Sequence, residues 1–217
     1  IENILSLNSD FVFLQEAQHS QIDLFQDEKL NEKYLFEYAP NNPTFSSASN
    51  GLLILIKKDC HHFKQIRIFN EILDPIKGEA IQFLHIPSRN LVFVNVHLDY
   101  LDSLSQLNLI QKKFSQLFND SSSISLLAGD FNRTMSNCDQ FPSVEYEYIF
   151  DENIPTYYPD PATQQSNSSI DQIIFHRKKL KLIQSGQAFQ TNDRSLKDSL
   201  TIYGSDHTFI WAKFQFT

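Results

Sequence analysis

The sequence predicts a single α/β domain with many short strands and a few interspersed helices. Strand-like apolar runs recur along the chain, each bounded by turn-forming or charged residues. Residues 101–119 carry an apolar stripe at helical spacing. No Gly/Ser-rich linker interrupts the 217 residues, which contain only five glycines. These observations favour one domain spanning residues 1–217 over two smaller domains.

The predicted helices are interspersed among a larger number of predicted strands. A helix-like pattern occupies residues 1–7, and a mixed amphipathic helix is expected over 19–31. Residues 40–50 have the composition of a polar loop, and residues 131–168, with four prolines, are expected to be long and irregular. Strands are predicted at 11–14, 34–38, 52–56, 63–69, 80–86, 91–96, 125–128, 170–175 and 208–216.

The charge balance limits the class of partner. Asp and Glu number 26 against 18 Lys and Arg, for a formal net charge of −8. This balance disfavours a protein that binds nucleic acid through a broad cationic field. It does not disfavour an enzyme that neutralises a single phosphate with a carboxylate-bound divalent cation. No apolar run approaches the roughly 20 residues of a membrane helix. The chain is therefore expected to be soluble, with its compartment and oligomeric state left open.

The two cysteines, Cys60 and Cys138, match no metal-ligand spacing. They could form one disulfide in an oxidising compartment or remain two reduced thiols.

Polar residues occupy the ends of the predicted strands. Those at carboxyl ends are Glu16, His97, Asp130 and Asn132, and those at the start of a strand are Asp171, Asp206 and His207. If the last two strands run antiparallel to the earlier three, all these side chains meet at one edge. Catalytic groups concentrate on loops held by such a rigid scaffold.

The set contains four carboxylates, one amide and two imidazoles, which indicates a particular chemistry. Hard oxygen ligands suit Mg²⁺ or Mn²⁺ rather than zinc. A carboxylate-held Mg²⁺ can polarise a phosphoryl oxygen. A histidine paired with an aspartate can activate water. The inventory therefore fits hydrolysis of a phosphate ester, either a phosphodiester or a phosphomonoester.

Five blocks in this order resemble the endonuclease/exonuclease/phosphatase superfamily, also described as deoxyribonuclease-I-like. The blocks are Leu14-Gln15-Glu16, Asn95-Val96-His97-Leu98, Gly129-Asp130-Phe131-Asn132, Ser169-Ile170-Asp171 and Ser205-Asp206-His207. Together they cover nearly the whole chain. With this resemblance, the expected fold is a four-layer α/β sandwich of two packed mixed sheets flanked by helices.

The resemblance also implies a role for each residue of the metal and base group. Glu16 would be the principal Mg²⁺ ligand, and Asp206 would be a second ligand or lie close to the metal. His207 would be the base that activates water, and Asp171 would orient its ring.

The remaining roles concern the substrate. Asp130 and Asn132 would hold the scissile phosphate and the nucleophile or leaving group, and His97 would be a phosphate contact or general acid. Arg133, directly after Asn132, could bind a second phosphate group. A similar Asp-Phe-Asn-Arg run in the catalytic subunit of cytolethal distending toxins suggests that branch, while the sphingomyelinase branch is an alternative.

One departure from the family pattern concerns the start of the chain. The family normally begins with a strand that carries an Asn of the site, and this first strand is apparently missing before Ile1. We expect a trimmed sequence rather than a protein that lacks a core strand, because an exposed core edge promotes aggregation.

Two functional hypotheses follow from these residues. The favoured one is a Mg²⁺-dependent phosphoesterase whose substrate is a phosphoinositide, another phospholipid head group, or nucleic acid. The alternative is a catalytically silent member of the superfamily that acts as a binding or regulatory module.

Overall fold

Eleven strands and three α-helices make up the part of the chain that the computed structural model describes. That part comprises residues 2–18, 27–41, 50–60, 65–74, 78–118, 122–134, 139–149, 155–158, 168–187 and 207–217. The helices are α1 (Glu2–Leu7), α2 (Glu28–Lys33) and α3 (Ser103–Leu117). The strands are β1 (Phe11–Gln18), β2 (Tyr34–Pro40), β3 (Asn50–Lys57), β4 (Arg67–Asp74), β5 (Glu79–Ile86), β6 (Leu91–His97), β7 (Leu126–Asp130), β8 (Tyr146–Tyr148), β9 (Asp171–His176), β10 (Leu180–Gln187) and β11 (Ile210–Phe216).

The largest sheet is mixed and has the strand order β4-β5-β6-β7-β9-β8. β6 and β7 pair in parallel, and α3 lies between them in sequence; the other pairings of this sheet are antiparallel. β6 is apolar on both faces. Val94 belongs to the core cluster that includes Leu107 and Ile110 of α3, while Phe93 belongs to the cluster on the opposite face. A strand that is covered on both faces has a continuous apolar sequence, which is why the strand at 91–96 could be predicted from the sequence.

The second sheet layer consists of two pieces, β1-β3-β2 and β10-β11, both antiparallel. Phe13 of β1 and Phe214 of β11 pack against the same core cluster as Phe93 of the large sheet. On the outer face of the three-stranded piece, Ile4 of α1 and Leu30 of α2 join a separate cluster. The layers are therefore α3, the six-stranded sheet, the two smaller sheets, and α1 with α2. This confirms the predicted four-layer α/β sandwich.

Several predicted elements are confirmed with different bounds. The helix expected over 19–31 is described only from residue 28, where the Asp27 carboxylate accepts hydrogen bonds from two backbone N–H groups of the first turn; residues 19–26 lie outside the described part. The strand expected at 63–69 spans Arg67–Asp74. The stretch predicted as irregular contains β8, and β10 was not predicted at all.

Two further expectations concern the thiols and the membrane. Cys60 is a free cysteine, so the disulfide alternative fails at this residue, and Cys138 lies outside the described residues. Among the helices that the structure describes, none has the length and apolar character that crossing a bilayer requires.

A network of side-chain amides, centred on the buried Asn95 and Gln82, joins the two sheet layers. Asn95 of β6 is fully buried; its Oδ1 accepts from Gln15 Nε2 at 2.7 Å, and its Nδ2 donates to Gln82 Oε1 at 3.0 Å. Gln82 in turn donates to the Glu37 carbonyl at 3.0 Å and to Asn70 Oδ1 at 3.1 Å. Because β1 and β2 belong to the second layer, these bonds fix that layer's alignment on the first.

We expect Asn95→Ala to lower the free energy of unfolding by about 2–4 kcal/mol. The buried amide of Gln82 and the half-buried amide of Gln15 each lose a partner, and an unsatisfied buried group costs about 1–3 kcal/mol. Urea unfolding measures the effect. The matched control is Asn108→Ala at an exposed position of α3, which should change stability by no more than about 0.5 kcal/mol. Equal midpoints for the two variants would show that the network does not stabilise the fold.

Candidate functional site

Three neighbouring strands of the large sheet each contribute one polar residue to a single row. The parallel register of β6 and β7 pairs His97 with Asp130, and the antiparallel register of β7 and β9 pairs Asp130 with Asp171. All three face the second layer, since Ala128 and Ile173, two positions away in their strands, pack in the core between the layers. His97 Nε2 lies 3.6 Å from Asp130 Oδ2. The expected antiparallel approach of β9 is thus confirmed.

The turn after β7 depends on a glycine and an asparagine. Gly129 has φ +146°, and a Cβ there would meet the Val96 carbonyl oxygen at 1.9 Å, so only glycine fits this close pairing of β6 and β7. Asn132 has φ 52°, a left-handed conformation that asparagine tolerates better than most residues. Its backbone N–H donates to Asp130 Oδ1 at 2.6 Å, and its Nδ2 lies 3.0 Å from His97 Nε2. The turn therefore holds three predicted site residues together.

His207 approaches the row from the other side. Its Nδ1 lies 2.9 Å from Asp171 Oδ2, and its Nε2 lies 3.8 Å from Asp130 Oδ2. The ring of Tyr157 packs beside the imidazole, with the centroids 4.9 Å apart. The Thr156 hydroxyl accepts the backbone N–H of Asp171 at 3.0 Å. Thr156 and Tyr157 were missed because they belong to the stretch predicted as irregular, and no local pattern marks them.

Glu16 reaches the site through an irregularity in β1. Leu14 pairs with Leu53 and Ala17 with Gly51, so two residues of β1 oppose one residue of β3, which is a β-bulge. Glu16 itself has φ 53°. Its side chain is 65% exposed, and Oε1 lies 4.0 Å from His97 Nε2. A bulge re-aims a side chain, and here it directs the carboxylate toward the row.

Of the two remaining predicted site residues, Arg133 is described by the structure and Asp206 is not. Arg133 follows Asn132 and is exposed. Asp206, predicted as a metal ligand, lies outside the described residues.

The electrostatics of the site centre on Asp130, which is only 5% exposed. Its pKa is raised to about 6, first by burial and second by the neighbouring carboxylate of Asp171. The imidazoles of His207 and His97 and the N–H of Asn132 act in the opposite direction without overcoming the rise. At neutral pH the Asp130 carboxylate is therefore ionised in a position where burial and the charge of Asp171 both disfavour its negative charge. A positive charge bound nearby would relieve this cost.

A group of potential metal ligands lies at the same place. Among the described residues, ligand atoms of Asp130, Asp171 and His207 lie within 4.8 Å of one another. Two converging carboxylates in a largely buried position fit a hard divalent cation. The family resemblance implies Glu16 and Asp206 as metal ligands, and Asp206 lies outside the described residues. Glu16 is not a member of this group, although its carboxylate lies beside His97 at the edge of the row.

The site opens into a groove of about 1050 Å³ between the two pieces of the second layer. β1 and β11 form its sides, and Phe93, Ala128 and Ile173 of the large sheet line it as well. Asp130 and Asp171 also line the groove, so it is continuous with the row.

Comparison with solved structures supports the assignment of the fold. The catalytic domain of human Nocturnin with bound sulfate is similar at TM-score 0.67 and 16% identity, with 100% of this chain and 84% of that chain covered. ANGEL2, a 2′,3′-cyclic phosphatase in complex with adenosine-2′,3′-vanadate, is similar at TM-score 0.68 and 16% identity, covering 98% and 84%. D. rerio TDP2 complexed with single strand DNA product is similar at TM-score 0.65 and 15% identity, covering 99% and 89%. No curated protein sequence matches the chain.

The sequence itself matches a family model along almost its full length. The model of the Endonuclease/Exonuclease/phosphatase family aligns with residues 1–207, which include the row on β6, β7 and β9 and also His207. The chain therefore belongs to the Endonuclease/Exonuclease/phosphatase family, whose members are hydrolases that act on ester bonds and generally depend on a divalent metal.

Proposed function

We propose that this protein is a Mg²⁺- or Mn²⁺-dependent phosphoesterase that hydrolyses the ester of a single bound phosphate group with water activated by His207. The observation that carries the proposal is the contact of 2.9 Å between His207 Nδ1 and Asp171 Oδ2, next to the buried carboxylate of Asp130. A catalytically silent binding module has no need for a buried carboxylate pair, which costs stability. The combination of an Asp-oriented imidazole with a cation site is what phosphate ester hydrolysis requires.

His207 is proposed as the general base. When Nδ1–H donates to the Asp171 carboxylate, Nε2 carries the lone pair that can accept a proton from water. The carboxylate also stabilises the imidazolium that forms, as in other Asp-His pairs. Thr156 positions this pair, because its hydroxyl binds the backbone of Asp171.

The carboxylates are proposed to hold the cation. Glu16 and Asp206 are the ligands that the family resemblance implies, and Asp130 adds a buried carboxylate at the centre of the row. The cation supplies charge stabilisation at the phosphoryl oxygen when it is bound. Since Asp171 Oδ2 is engaged by His207, Asp171 serves the imidazole rather than the metal.

The remaining residues are proposed to bind the phosphate and its substituents. Asn132 Nδ2 lies 3.0 Å from His97 Nε2, so both side chains lie beside Asp130, where the phosphate is proposed to bind. His97 would protonate the leaving oxygen or hold a phosphate oxygen, and the exposed Arg133 would bind a further anionic group. The net charge of −8 supports binding of one phosphate group rather than of a long stretch of nucleic acid.

The fold relatives favour a nucleotide over a lipid head group. ANGEL2 was solved with an adenosine-based ligand and TDP2 with a single strand DNA product. A nucleotide unit carries one scissile phosphate, which is compatible with the limited positive charge of this chain. We therefore propose a nucleotide phosphate ester as the preferred substrate.

His207→Ala is expected to reduce kcat by about 10²–10⁴-fold, the usual contribution of a positioned general base. Asp171→Asn should also impair turnover, because an amide does not stabilise an imidazolium as a carboxylate does. Both are measured on an activity panel of nucleotide phosphodiesters, phosphoinositides and sphingomyelin at fixed Mg²⁺. The matched control is the exposed Asp139→Asn, which should be as active as wild type. Near-normal rates for His207→Ala on a substrate that wild type hydrolyses would remove His207 from the mechanism.

Asp130→Asn should stabilise the metal-free protein at pH 8 by about 1–3 kcal/mol and clearly less at pH 4.5. The folded pKa of about 6 exceeds the ordinary 3.8, so ionisation of Asp130 opposes folding. Its contribution is most favourable below pH 3.8 and is lost as the pH rises through 6. A difference of about two pKa units corresponds to roughly 3 kcal/mol. Urea unfolding at the two pH values measures the gain.

Added Mg²⁺ should remove the stability advantage that Asp130→Asn has in the metal-free protein. Added Mg²⁺ should raise the Tm of wild type, because a ligand that binds only the folded state stabilises it. It should raise the Tm of Asp130→Asn much less. If Mg²⁺ raised both Tm values equally, Asp130 would not contribute to cation binding. Asp139→Asn is again the control.

The salt dependence of KM distinguishes an enzyme that contacts one phosphate of its substrate from one that contacts many. With one or two phosphate contacts on a single strand, affinity should fall by about three- to sevenfold between about 50 and 200 mM salt. Six or more contacts on the same strand would give a loss of about 300-fold or greater over the same range. KM for a single-stranded oligonucleotide, measured at fixed Mg²⁺, decides between these cases. The steep result would identify an extended nuclease surface instead.

A further inference from the structure

The loop between His97 and α3 exposes a group of large apolar residues beside the site. Tyr100 is 72% exposed, Leu101 is 88% exposed and Leu104, in the first turn of α3, is 45% exposed. Single exposed apolar residues are normal on protein surfaces. Three such residues within five positions of the chain, next to a functional site, are less common and favour contact with another molecule.

The loop is held rigidly by hydrogen bonds at both ends. At its start, Leu98 N–H donates to the Asp130 carbonyl at 2.8 Å, and Asn132 Nδ2 donates to the Leu98 carbonyl at 2.7 Å. Further along, Asp99 N–H donates to the fully buried side chain of Gln106 at 2.7 Å. These bonds connect the loop to the same turn that holds Asn132 against His97.

The backbone within the loop is fixed as well. Leu101 N–H donates to Asp99 Oδ1 at 2.8 Å, which closes a turn around Tyr100. The backbone that carries the aromatic side chain is therefore already ordered. Ordering that side chain on a ligand costs little conformational entropy, because the backbone is already ordered and tyrosine has only two side-chain torsions.

The position of Tyr100 suits a group that is attached to the bound phosphate. Tyr100 lies three positions after His97, so their Cα atoms are at most about 11 Å apart. His97 Nε2 is 3.6 Å from the central carboxylate of Asp130. Tyr100 is therefore close enough along the chain for its ring to reach a base attached to a phosphate at this row.

The negative charge around Tyr100 favours a planar organic group, rather than a membrane surface, as the ligand of its ring. The carboxylates of Asp99 and Asp102 lie on either side of the Tyr100–Leu101 pair in sequence, and the whole chain carries a net charge of −8. Anionic lipid surfaces attract basic rather than acidic segments. An aromatic face, in contrast, stacks on any nucleobase irrespective of its sequence.

We propose that the ring of Tyr100 stacks on the base of a nucleotide whose phosphate occupies the site, and that Tyr100 thereby sets the preference for base-bearing substrates. This inference rests on the proposed function, because it assigns the phosphate to the row of His97, Asp130 and Asp171. It adds a specificity residue that none of the sequence blocks contains. Tyr100 makes this contact through its ring face rather than its hydroxyl.

The test compares two substrates that differ only in the base. One is a thymidine dinucleotide with a single phosphate, and the other is the same compound with abasic sugars in place of both nucleosides. Tyr100→Ala should lower kcat/KM on the dinucleotide by about 5- to 150-fold, the range for loss of one stacked base. It should leave the abasic compound unchanged. Tyr100→Phe should match wild type on both.

Leu101→Ala is the matched control, because this neighbour is also exposed and apolar. It should behave as wild type on both compounds. An equal loss for Tyr100→Ala on the two compounds would overturn the stacking role. Equal losses for Leu101→Ala and Tyr100→Ala on sphingomyelin vesicles, with none on the dinucleotide, would replace it with insertion into a bilayer.

A binding measurement separates this inference from the proposed function. Calorimetric titration with thymidine monophosphate at fixed Mg²⁺ should show weaker binding to Tyr100→Ala, by about 5- to 150-fold, than to wild type. If wild type hydrolyses no phosphate ester but shows this difference, the proposed function fails and the stacking role stands. If wild type is active and the titrations are identical, the stacking role fails and the proposed function stands.

Discussion

The site exists because Asp130 lies between two strands of opposite direction. β6 runs parallel to β7 and ends at His97, whereas β9 runs antiparallel and begins at Asp171. One strand's end and another strand's beginning thus meet beside the same carboxylate. A shift of either pairing by one residue would turn that strand's site residue to the other face of the sheet. The tight contact of Gly129 with β6 and the amide network at Asn95 both hold this register.

This row is predictable from the sequence because its polar residues stand out against apolar strands. Polar residues that directly follow or precede a buried run must lie at a strand end, so the positions of Asp130 and Asp171 follow from the sequence pattern alone. The direction of β9 was also inferable, since only an antiparallel strand brings its first residue to that edge. The family resemblance then added an expected role for each position.

The features that escaped prediction depend on contacts between distant residues. Thr156 supports Asp171 across 15 positions of the chain, and neither residue type signals the contact. β10 mixes polar and apolar residues because much of it is only half buried, so its pattern is weak. The bulge at Glu16 is visible only in the mismatch with β3. In each case the determining partner lies elsewhere in the fold, and a local pattern does not contain it.

The conformation of Glu16 has a consequence for how relatives of this protein are compared. The carboxylate faces the site only because β1 contains one residue more than its partner between Leu14 and Ala17. A relative with a single-residue deletion in this interval would keep a glutamate in its aligned sequence, yet a regular pleat would turn that side chain to the opposite face. Inactive family members could thus be recognised by the spacing between Leu14 and Ala17, even where every residue of the site is retained.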